Sequence, residues 1–231
     1  MNAAARELPG RGTILNLCFH GIGTPSRTLE PDEARYWVGA AQFEEMLDAV
    51  RPYPSVRLTF DDGNASDIDM ALPVLIKRGL VATFFVIAAR VGRPGTMTKN
   101  DLRELVRARM TVGSHGMHHR AWNTVDDREL HSEIAEARQV IAEATGDTPD
   151  RVACPYGSYN RRVLNSLRRE RVSRVYTVDG GAAREDSWLQ SRYVVERSDT
   201  PQTLERLARL PDGPAAARVM RSLKGAIKRL R

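Results

Sequence analysis

Short apolar segments alternate with amphipathic segments along most of the chain. Seven apolar, β-rich segments predict strands: Thr13–Phe19, Val56–Phe60, Val81–Ile87, Met110–Gly113, Arg151–Cys154, Arg174–Val178 and Tyr193–Val195. The segment Val81–Ile87 is apolar throughout, which predicts a strand buried on both faces.

Hydrophobic residues recur at three- and four-residue steps between these strands, which predicts helices. The predicted helices are one containing Phe43, Met46, Leu47 and Val50, and those at Ser66–Arg78, Thr98–Arg109, Asp126–Ala144, Asn160–Glu170 and Thr203–Leu210. Ser66 is the predicted N-cap of the second helix, Gly79 its stop and Pro73 a kink. Thr98 or Asn100 caps the third, and Gly146 ends the fourth.

Repeated strand–helix alternation predicts parallel strands with helices outside, in a barrel or an open doubly wound sheet. An open nucleotide-binding sheet has a glycine-rich turn and a helix directly after its first strand. The first strand here ends in Cys18–Gly23 with no helix directly behind it. The pattern therefore favours an α/β fold, a distorted (β/α) barrel of about seven parallel strands in one domain, residues 13–210. Residues 1–12 form an N-terminal extension, and residues 211–231 form a linker and a basic amphipathic helix.

Composition narrows the class of protein further. The 231 residues are 42% hydrophobic and 28% charged, with two cysteines, which is ordinary for a globular protein and excludes a disulfide-rich scaffold. No stretch of 18 apolar residues predicts a transmembrane helix, and the first residues lack the layout of a signal peptide. We therefore expect a cytoplasmic location.

The net charge of +6 comes from the C-terminal segment. Residues 214–231 hold six basic and no acidic residues, so residues 1–213 carry equal numbers of each sign. A nucleic-acid-binding domain carries its positive charge on the folded face, so no nucleic-acid partner is expected. An apolar stripe in this segment consists of Val219, Met220, Leu223, Ala226, Ile227 and Leu230. It predicts either a helix docked on the barrel or peripheral association with an anionic membrane.

Polar residues cluster where the predicted strands end. His20 follows the first strand, Asp61 and Asp62 follow the second, and His115 and His119 follow the fourth. In a parallel barrel these points lie at one rim, where active sites are found. Two histidines at i and i+4 on a helical turn, with one carboxylate, form a common catalytic zinc set with an open position. The other aspartate would stay free as a base, although an Asp pair before Gly63 is also typical of a turn. His118 is expected to point elsewhere.

These motifs resemble the polysaccharide deacetylases with the NodB homology domain, carbohydrate esterase family 4, over residues 13–197. Residues 59–63 read TFDDG, residues 114–119 read SHGMHH, and residues 153–157 read ACPYG. Gly116 stands where the family usually has Ser or Thr, and Ala153 where it commonly has Arg. The family's late Leu-x-His motif is missing, since no histidine follows His131.

The resemblance implies that Asp62, His115 and His119 hold a divalent metal, with zinc favoured, and that Asp61 is the general base. The backbone N–H of Tyr156 would stabilise the oxyanion. Because the late histidine is missing, His20 is the candidate general acid; the alternative is that His20 is a buried histidine with a structural role. Asp179 is the reserve candidate for the acid, although its sequence context equally suits a turn. Trp188 is a candidate sugar platform and Arg192 a candidate partner for a carboxylate, although both also suit packing or surface roles.

The implied function is a metal-dependent hydrolase that removes an acetyl group from an N-acetylated sugar or saccharide. Two alternatives remain open at this point. One is a carbohydrate-binding pseudoenzyme on the same fold, since two motifs depart from the family's pattern, although an intact Asp61 argues against it. The other is a hydrolase of a different non-peptide C–N bond, such as a cyclic amide or a formamide.

Overall fold

A computed structural model describes residues 12–209, and within them seven parallel strands close into a barrel. The barrel strands are β1 (Thr13–Phe19), β4 (Val56–Asp62), β5 (Ala82–Val86), β6 (Thr111–Ser114), β7 (Arg151–Ala153), β8 (Arg174–Thr177) and β10 (Leu189–Val194). They follow one another around the barrel in chain order, and β10 closes it by pairing in parallel with β1. The predicted α/β barrel is confirmed.

Helices cover the outside of the barrel. They are α1 (Ala40–Val50), α2 (Leu72–Arg78), α3 (Lys99–Arg107), α4 (Asp127–His131), α5 (Ala137–Thr145), α6 (Arg161–Arg169) and α7 (Pro201–Arg209). Two π-helical turns interrupt predicted continuous helices: Asp67–Ala71 precedes α2, and Ser132–Glu136 joins α4 to α5. Such turns concentrate at functional sites.

Some short elements have no signal in the sequence pattern. Strands β2 (Gly21–Ile22) and β3 (Trp37–Val38) pair with each other outside the barrel, next to a 3₁₀ turn at Glu33–Tyr36. Strand β9 (Ala183–Arg184) pairs antiparallel with the start of β1. The last barrel strand begins at Leu189, before the predicted Tyr193, because its polar residues Gln190 and Arg192 face the barrel interior and break the apolar pattern.

Side-chain caps fix most of the helix starts. Thr98, Asp126 and Asn160 each accept a hydrogen bond from a backbone N–H in the first turn of the helix that follows. Ser66 was predicted as a cap, but its hydroxyl instead accepts from the backbone N–H of Ile22, and its own backbone is helical. The left-handed Gly79 ends α2 as predicted (φ 65°).

Successive side chains of β1 and β4 point alternately out of the barrel and into it, which separates an apolar layer from a polar one. Leu15, Leu17 and Phe60 belong to the main apolar core with residues of the surrounding helices. Inside the barrel the intervening positions are polar and linked: Asn16 donates to Gln190, and Arg192 donates to Thr59 and Asp61. Within residues 12–209, no helix has the length and apolar character needed to cross a membrane.

Candidate active site

The carboxyl ends of the barrel strands surround a cavity of about 430 Å³. Its walls include all of the residues predicted to carry the central chemistry: His20, Asp61, Asp62, His115, His119 and Tyr156. The residues come from the ends of β1, β4, β6 and β7, so the barrel topology brings them together as the sequence predicted.

Asp62, His115 and His119 form a cluster with metal-ligand geometry. One donor atom from each lies within 4.8 Å of the other two. Asp62 Oδ1 is 3.8 Å from the Nε2 atoms of both histidines. This oxygen is buried and has no hydrogen-bond partner among the described residues. A buried unpaired carboxylate oxygen is costly, and a cation held by all three side chains would satisfy it. The donor set therefore fits a divalent metal.

The spacing of the two histidines predicted a helical turn, but the structure has none at this position. Residues 115–119 form a loop in which Gly116 (φ 84°) and His119 (φ 59°) have left-handed backbone conformations. The loop folds the chain back and places the imidazole rings 4.9 Å apart. A Cβ at residue 116 would lie 2.4 Å from Glu133 Oε2. That contact gives a physical reason for glycine at this motif position.

Glu133 holds this loop in place and was missed by the sequence analysis. Its carboxylate accepts hydrogen bonds from the backbone N–H groups of Met117 (3.1 Å) and His118 (2.8 Å), and from Trp122 Nε1 (3.2 Å). Glu133 is 1% exposed and lies in the π-helical turn between α4 and α5. Nothing in the helical pattern distinguishes this glutamate from solvent-exposed ones. His118 itself is exposed, as predicted.

Hydrogen bonding and burial prepare His115 to act as a ligand. Its Nδ1 lies 2.9 Å from the Ala153 carbonyl oxygen, which only accepts, so Nδ1 carries the proton and Nε2 faces Asp61 and Asp62 with its lone pair. Burial lowers the pKa of His115 to about 4, against the opposing effect of Asp61. The ring is therefore neutral at physiological pH, as metal binding requires.

Asp61 is bound by Arg192 through both carboxylate oxygens. The guanidinium donates at 2.6 Å to Oδ1 and at 2.7 Å to Oδ2. Burial opposes ionisation of Asp61, but Arg192 and His115 outweigh it and hold its pKa below the usual range. The carboxylate that Arg192 binds is therefore the chain's own Asp61, and because Arg192 is fully buried, its position does not support the predicted contact with substrate.

Arg192 also occupies the space beside the small residue of the third motif. Its guanidinium carbon lies 5.3 Å from the Phe85 ring centroid and 5.9 Å from that of Tyr176. Ala153 packs in the same cluster as these two rings. An arginine from β10 thus fixes Asp61 in a chain whose third motif lacks its usual arginine.

His20 lines the same cavity as the metal-ligand cluster. Its ring stacks on Tyr36 at 4.9 Å, and its Nδ1 is buried without a hydrogen-bond partner among the described residues. Donor atoms of His20, Asp61 and Cys18 also lie within 4.8 Å of one another. His20 therefore adjoins Asp61 in a position open to a ligand.

Glu30 and Tyr156 border the opening of the cavity. The Tyr156 ring packs at a tilt against His119, with ring centroids 4.4 Å apart. Its hydroxyl donates a hydrogen bond to Glu30 (3.1 Å), which also pairs with Arg90. Glu30 Oε2 lies 3.5 Å from His119 Nδ1, the ring nitrogen that points away from Asp62. Burial, together with the charge of Glu30, raises the pKa of Tyr156 to about 12. Glu30 was not predicted as a site residue, because it lies in an irregular loop without a recognisable motif.

Two further predicted site residues, Asp179 and Trp188, lie outside the cavity lining, as Arg192 does. Asp179 accepts hydrogen bonds from Tyr159 (2.8 Å) and Thr177 (2.9 Å), so these contacts position it against the barrel. Trp188 donates to the Val172 carbonyl (2.8 Å) and packs in a second apolar cluster under Arg168. Their proposed roles as reserve acid and sugar platform are not supported by where they lie.

The barrel thus places a donor set that fits a divalent metal in one cavity with Asp61. The family model for polysaccharide deacetylase matches residues 49–174. The chain belongs to the polysaccharide deacetylase family, which confirms the resemblance seen in its motifs.

Known proteins similar to the chain agree with this membership. YxkH of Bacillus subtilis is 28% identical over 142 residues, which cover 62% of this chain and 50% of YxkH. The peptidoglycan-N-acetylglucosamine deacetylase PgdA of Listeria monocytogenes is 30% identical over 113 residues, 48% of this chain and 23% of PgdA. The chain thus matches half or less of the length of these relatives.

A solved structure shows the same fold. The deacetylase PplD of Streptococcus pyogenes superimposes with a TM-score of 0.75 at 20% identity, over 89% of this chain and all of the PplD chain. The barrel is therefore shared across nearly all of the described residues.

Proposed function

We propose that the protein is a metal-dependent hydrolase that removes the acetyl group from an N-acetylated sugar or saccharide. One observation carries the proposal: the donor atoms of Asp62, His115 and His119 converge beside an Asp61 held by Arg192, in the same cavity. Membership of the polysaccharide deacetylase family and the name of the relative PgdA support the choice of an N-acetylated saccharide as substrate.

Asp62, His115 and His119 would hold the metal, for which zinc is favoured because two imidazoles and one carboxylate are a common catalytic zinc set. A bound zinc ion supplies a Lewis acid that polarises the amide carbonyl and lowers the pKa of water towards about 7. The three protein ligands leave coordination positions free for a substrate and water.

Asp61 is assigned the role of general base. Because Arg192 binds both of its oxygens, its carboxylate stays ionised and keeps one orientation towards the cavity. Asp61 takes the proton from the water that attacks the carbonyl carbon. The backbone N–H of Tyr156 is assigned to the oxyanion that forms, and loss of one such donor typically costs about 3–4 kcal/mol in the barrier.

His20 is assigned the role of general acid. It lines the cavity, its ring stacks on Tyr36, and its Nδ1 has no hydrogen-bond partner among the described residues. When the C–N bond breaks, protonated His20 gives its proton to the leaving nitrogen. The products are acetate and the free amine of the sugar.

Acetate release from N-acetylglucosamine oligomers by the zinc-loaded full chain tests the proposal. We expect release that stops on chelation and returns with zinc, and we expect His20→Ala to lower kcat with unchanged zinc content. A panel of cyclic amides and formamides, with formate measured, runs in parallel. Saccharide binding without any acetate release would instead identify a binding protein, and turnover of the other amides alone would identify a different hydrolase.

A further inference from the structure

We propose that the barrel carries a second binding site at its other end, which takes a phosphoryl group of a small anion. A cavity of about 260 Å³ opens there, lined by residues at the starts of the barrel strands, opposite the candidate active site. Four arginines line it: Arg57, Arg109, Arg151 and Arg174. We call it the amino-end cavity.

The fold assembles these arginines from distant parts of the sequence. Arg57 is the second residue of β4, Arg109 precedes β6 by two residues, and Arg151 and Arg174 are the first residues of β7 and β8. Parallel strands all begin at one end of a barrel, so four guanidinium groups meet around one cavity.

Most of this positive charge has no carboxylate against it. Glu185 is the one acidic residue in the described lining, and it pairs with Arg57 at 2.7 Å. Neutral acceptors hold two of the others. Arg174 donates to the carbonyls of Asp186 (3.2 Å) and Ser187 (2.9 Å), and Arg151 donates to Thr83 Oγ1 (3.4 Å).

A weak ion pair between Arg151 and Asp150 leaves most of the positive charge of the cavity unneutralised. The Arg151 Nε lies 4.0 Å from Asp150 Oδ1, on a side chain that is 62% exposed, and a pair of that kind contributes little. The guanidinium groups of Arg151 and Arg174 are thus positioned by neutral acceptors while their charge stays available, which is the arrangement that an anion site requires.

Size and donor geometry indicate the class of ligand. The cavity is slightly smaller than the lower limit of about 300 Å³ for pockets that hold drug-sized ligands, so the ligand is small. Planar guanidinium groups bind phosphate through paired hydrogen bonds, and a phosphoryl group has enough oxygens to engage more than one arginine. Inorganic phosphate, pyrophosphate and the phosphate end of a sugar phosphate share this chemistry.

Two glycine substitutions provide a matched test. Arg109 (φ 61°) and Arg171 (φ 54°) both have left-handed backbone conformations that glycine adopts more easily. R109G and R171G each remove one cation and are both expected to fold at least as well as the parent. Only Arg109 of the two lines the amino-end cavity. R151Q removes a second lining arginine at an ordinary backbone position.

Binding of inorganic phosphate to the full chain is measured by calorimetry at constant ionic strength. We expect a single-site Kd that R171G leaves unchanged and that R109G and R151Q each weaken about tenfold or more, because a hydrogen bond to a charged group contributes about 1.5–3 kcal/mol. Phosphate held at the candidate metal centre instead would bind all four proteins equally, and that result would overturn the proposal. So would the absence of binding, or an equal loss in R171G.

Pyrophosphate and glucose 1-phosphate are titrated in the same way to identify the source of the phosphoryl group. Tighter binding of glucose 1-phosphate than of free phosphate, lost in R109G, assigns the site to a sugar phosphate. Tighter binding of pyrophosphate, with the same loss, assigns it to a free anion.

Discussion

The two ends of the barrel use charge in opposite ways. At the carboxyl end, Asp61, Asp62 and His115 are each at most 4% exposed, and the charge of Asp61 lies against the opposite charge of Arg192 at 2.6 Å. At the amino end, the side chains of Arg57 and Arg151 are 43% and 40% exposed and share one sign. A buried, balanced set keeps reacting groups in fixed positions, whereas an exposed, unbalanced set attracts a counter-ion from solution.

One layer of polar residues separates the two ends. Thr59 lines the amino-end cavity, and its Oγ1 accepts a hydrogen bond at 3.2 Å from the same Arg192 guanidinium that binds Asp61. Arg192 has no exposure to either end. The Arg192–Asp61 ion pair therefore lies between the two ends of the barrel and separates their charged groups.

The largest effect is expected at the carboxyl end, from the two aspartates. Asp62→Asn should lose both zinc and turnover, because it removes the charged ligand of the metal. Asp61→Asn should keep zinc but lose about 10²–10⁴-fold in kcat, the usual contribution of a general base. Zinc content and acetate release are measured on the same folded samples, with folding checked by circular dichroism. Loss of zinc from Asp61→Asn with retention by Asp62→Asn would reverse the assignment.

The barrel and the main residues of its site were predictable because they follow from local patterns. Strand segments such as Ala82–Val86 are mostly apolar and lie between helical patterns. Asp61 and Asp62 end one strand, and His115 and His119 follow another within five residues. Parallel strands place such residues at one rim whatever the lengths of the connecting segments. The sequence therefore contained the site's location as well as its residue types.

The supporting residues were not predictable, because their roles depend on contacts between distant segments. Glu133 accepts a hydrogen bond from the backbone N–H of Met117, 16 positions away, because it lies in a π-helical turn that no periodicity predicts. Arg192 was a candidate partner for a carboxylate, but no local pattern identified that carboxylate as Asp61, 131 positions away. The helical turn assumed for His115 and His119 was wrong because Gly116 and His119 adopt left-handed conformations.

The next largest effect is expected where the two ends meet. Arg192→Met should lower the free energy of unfolding by about 3–5 kcal/mol, because it leaves Asp61 buried without its partner. Asp61→Asn/Arg192→Met should cost less than the two single changes combined, since the removed groups contact each other. Urea unfolding of the four proteins measures both quantities. Additive costs would show that Arg192 does not act through Asp61, and the contrast between the ends would then rest on other residues.

A smaller effect is expected from substitution of Glu133, whose carboxylate accepts hydrogen bonds from the backbone of the loop that carries His115 and His119. Glu133→Gln keeps the size of the side chain but replaces one acceptor oxygen with an NH₂ group beside backbone donors. We expect zinc affinity to fall about 10–100-fold, the usual effect of losing a partner that orients a ligand loop. Competition with a chelator measures the zinc Kd, and Glu136→Gln on the same turn is the control. Equal zinc affinity in both variants would limit Glu133 to a role in folding.

The smallest effect is expected from the C-terminal basic segment, residues 214–231, which lies outside the described residues. Its charge pattern differs from those at both ends of the barrel, because six basic residues accompany an apolar stripe and no acidic residue is present. If this segment binds an anionic membrane, each cation near the surface contributes about 1 kcal/mol, and rising salt removes that contribution. Cosedimentation with liposomes of graded anionic lipid content compares the full chain with a chain that stops after Gly213. We expect weak, salt-sensitive binding by the full chain alone, since a single short helix gives reversible attachment. Equal binding by both chains would show that the barrel binds the membrane, and R109G would then test the amino-end arginines. Absence of binding at low salt would favour a helix docked on the barrel.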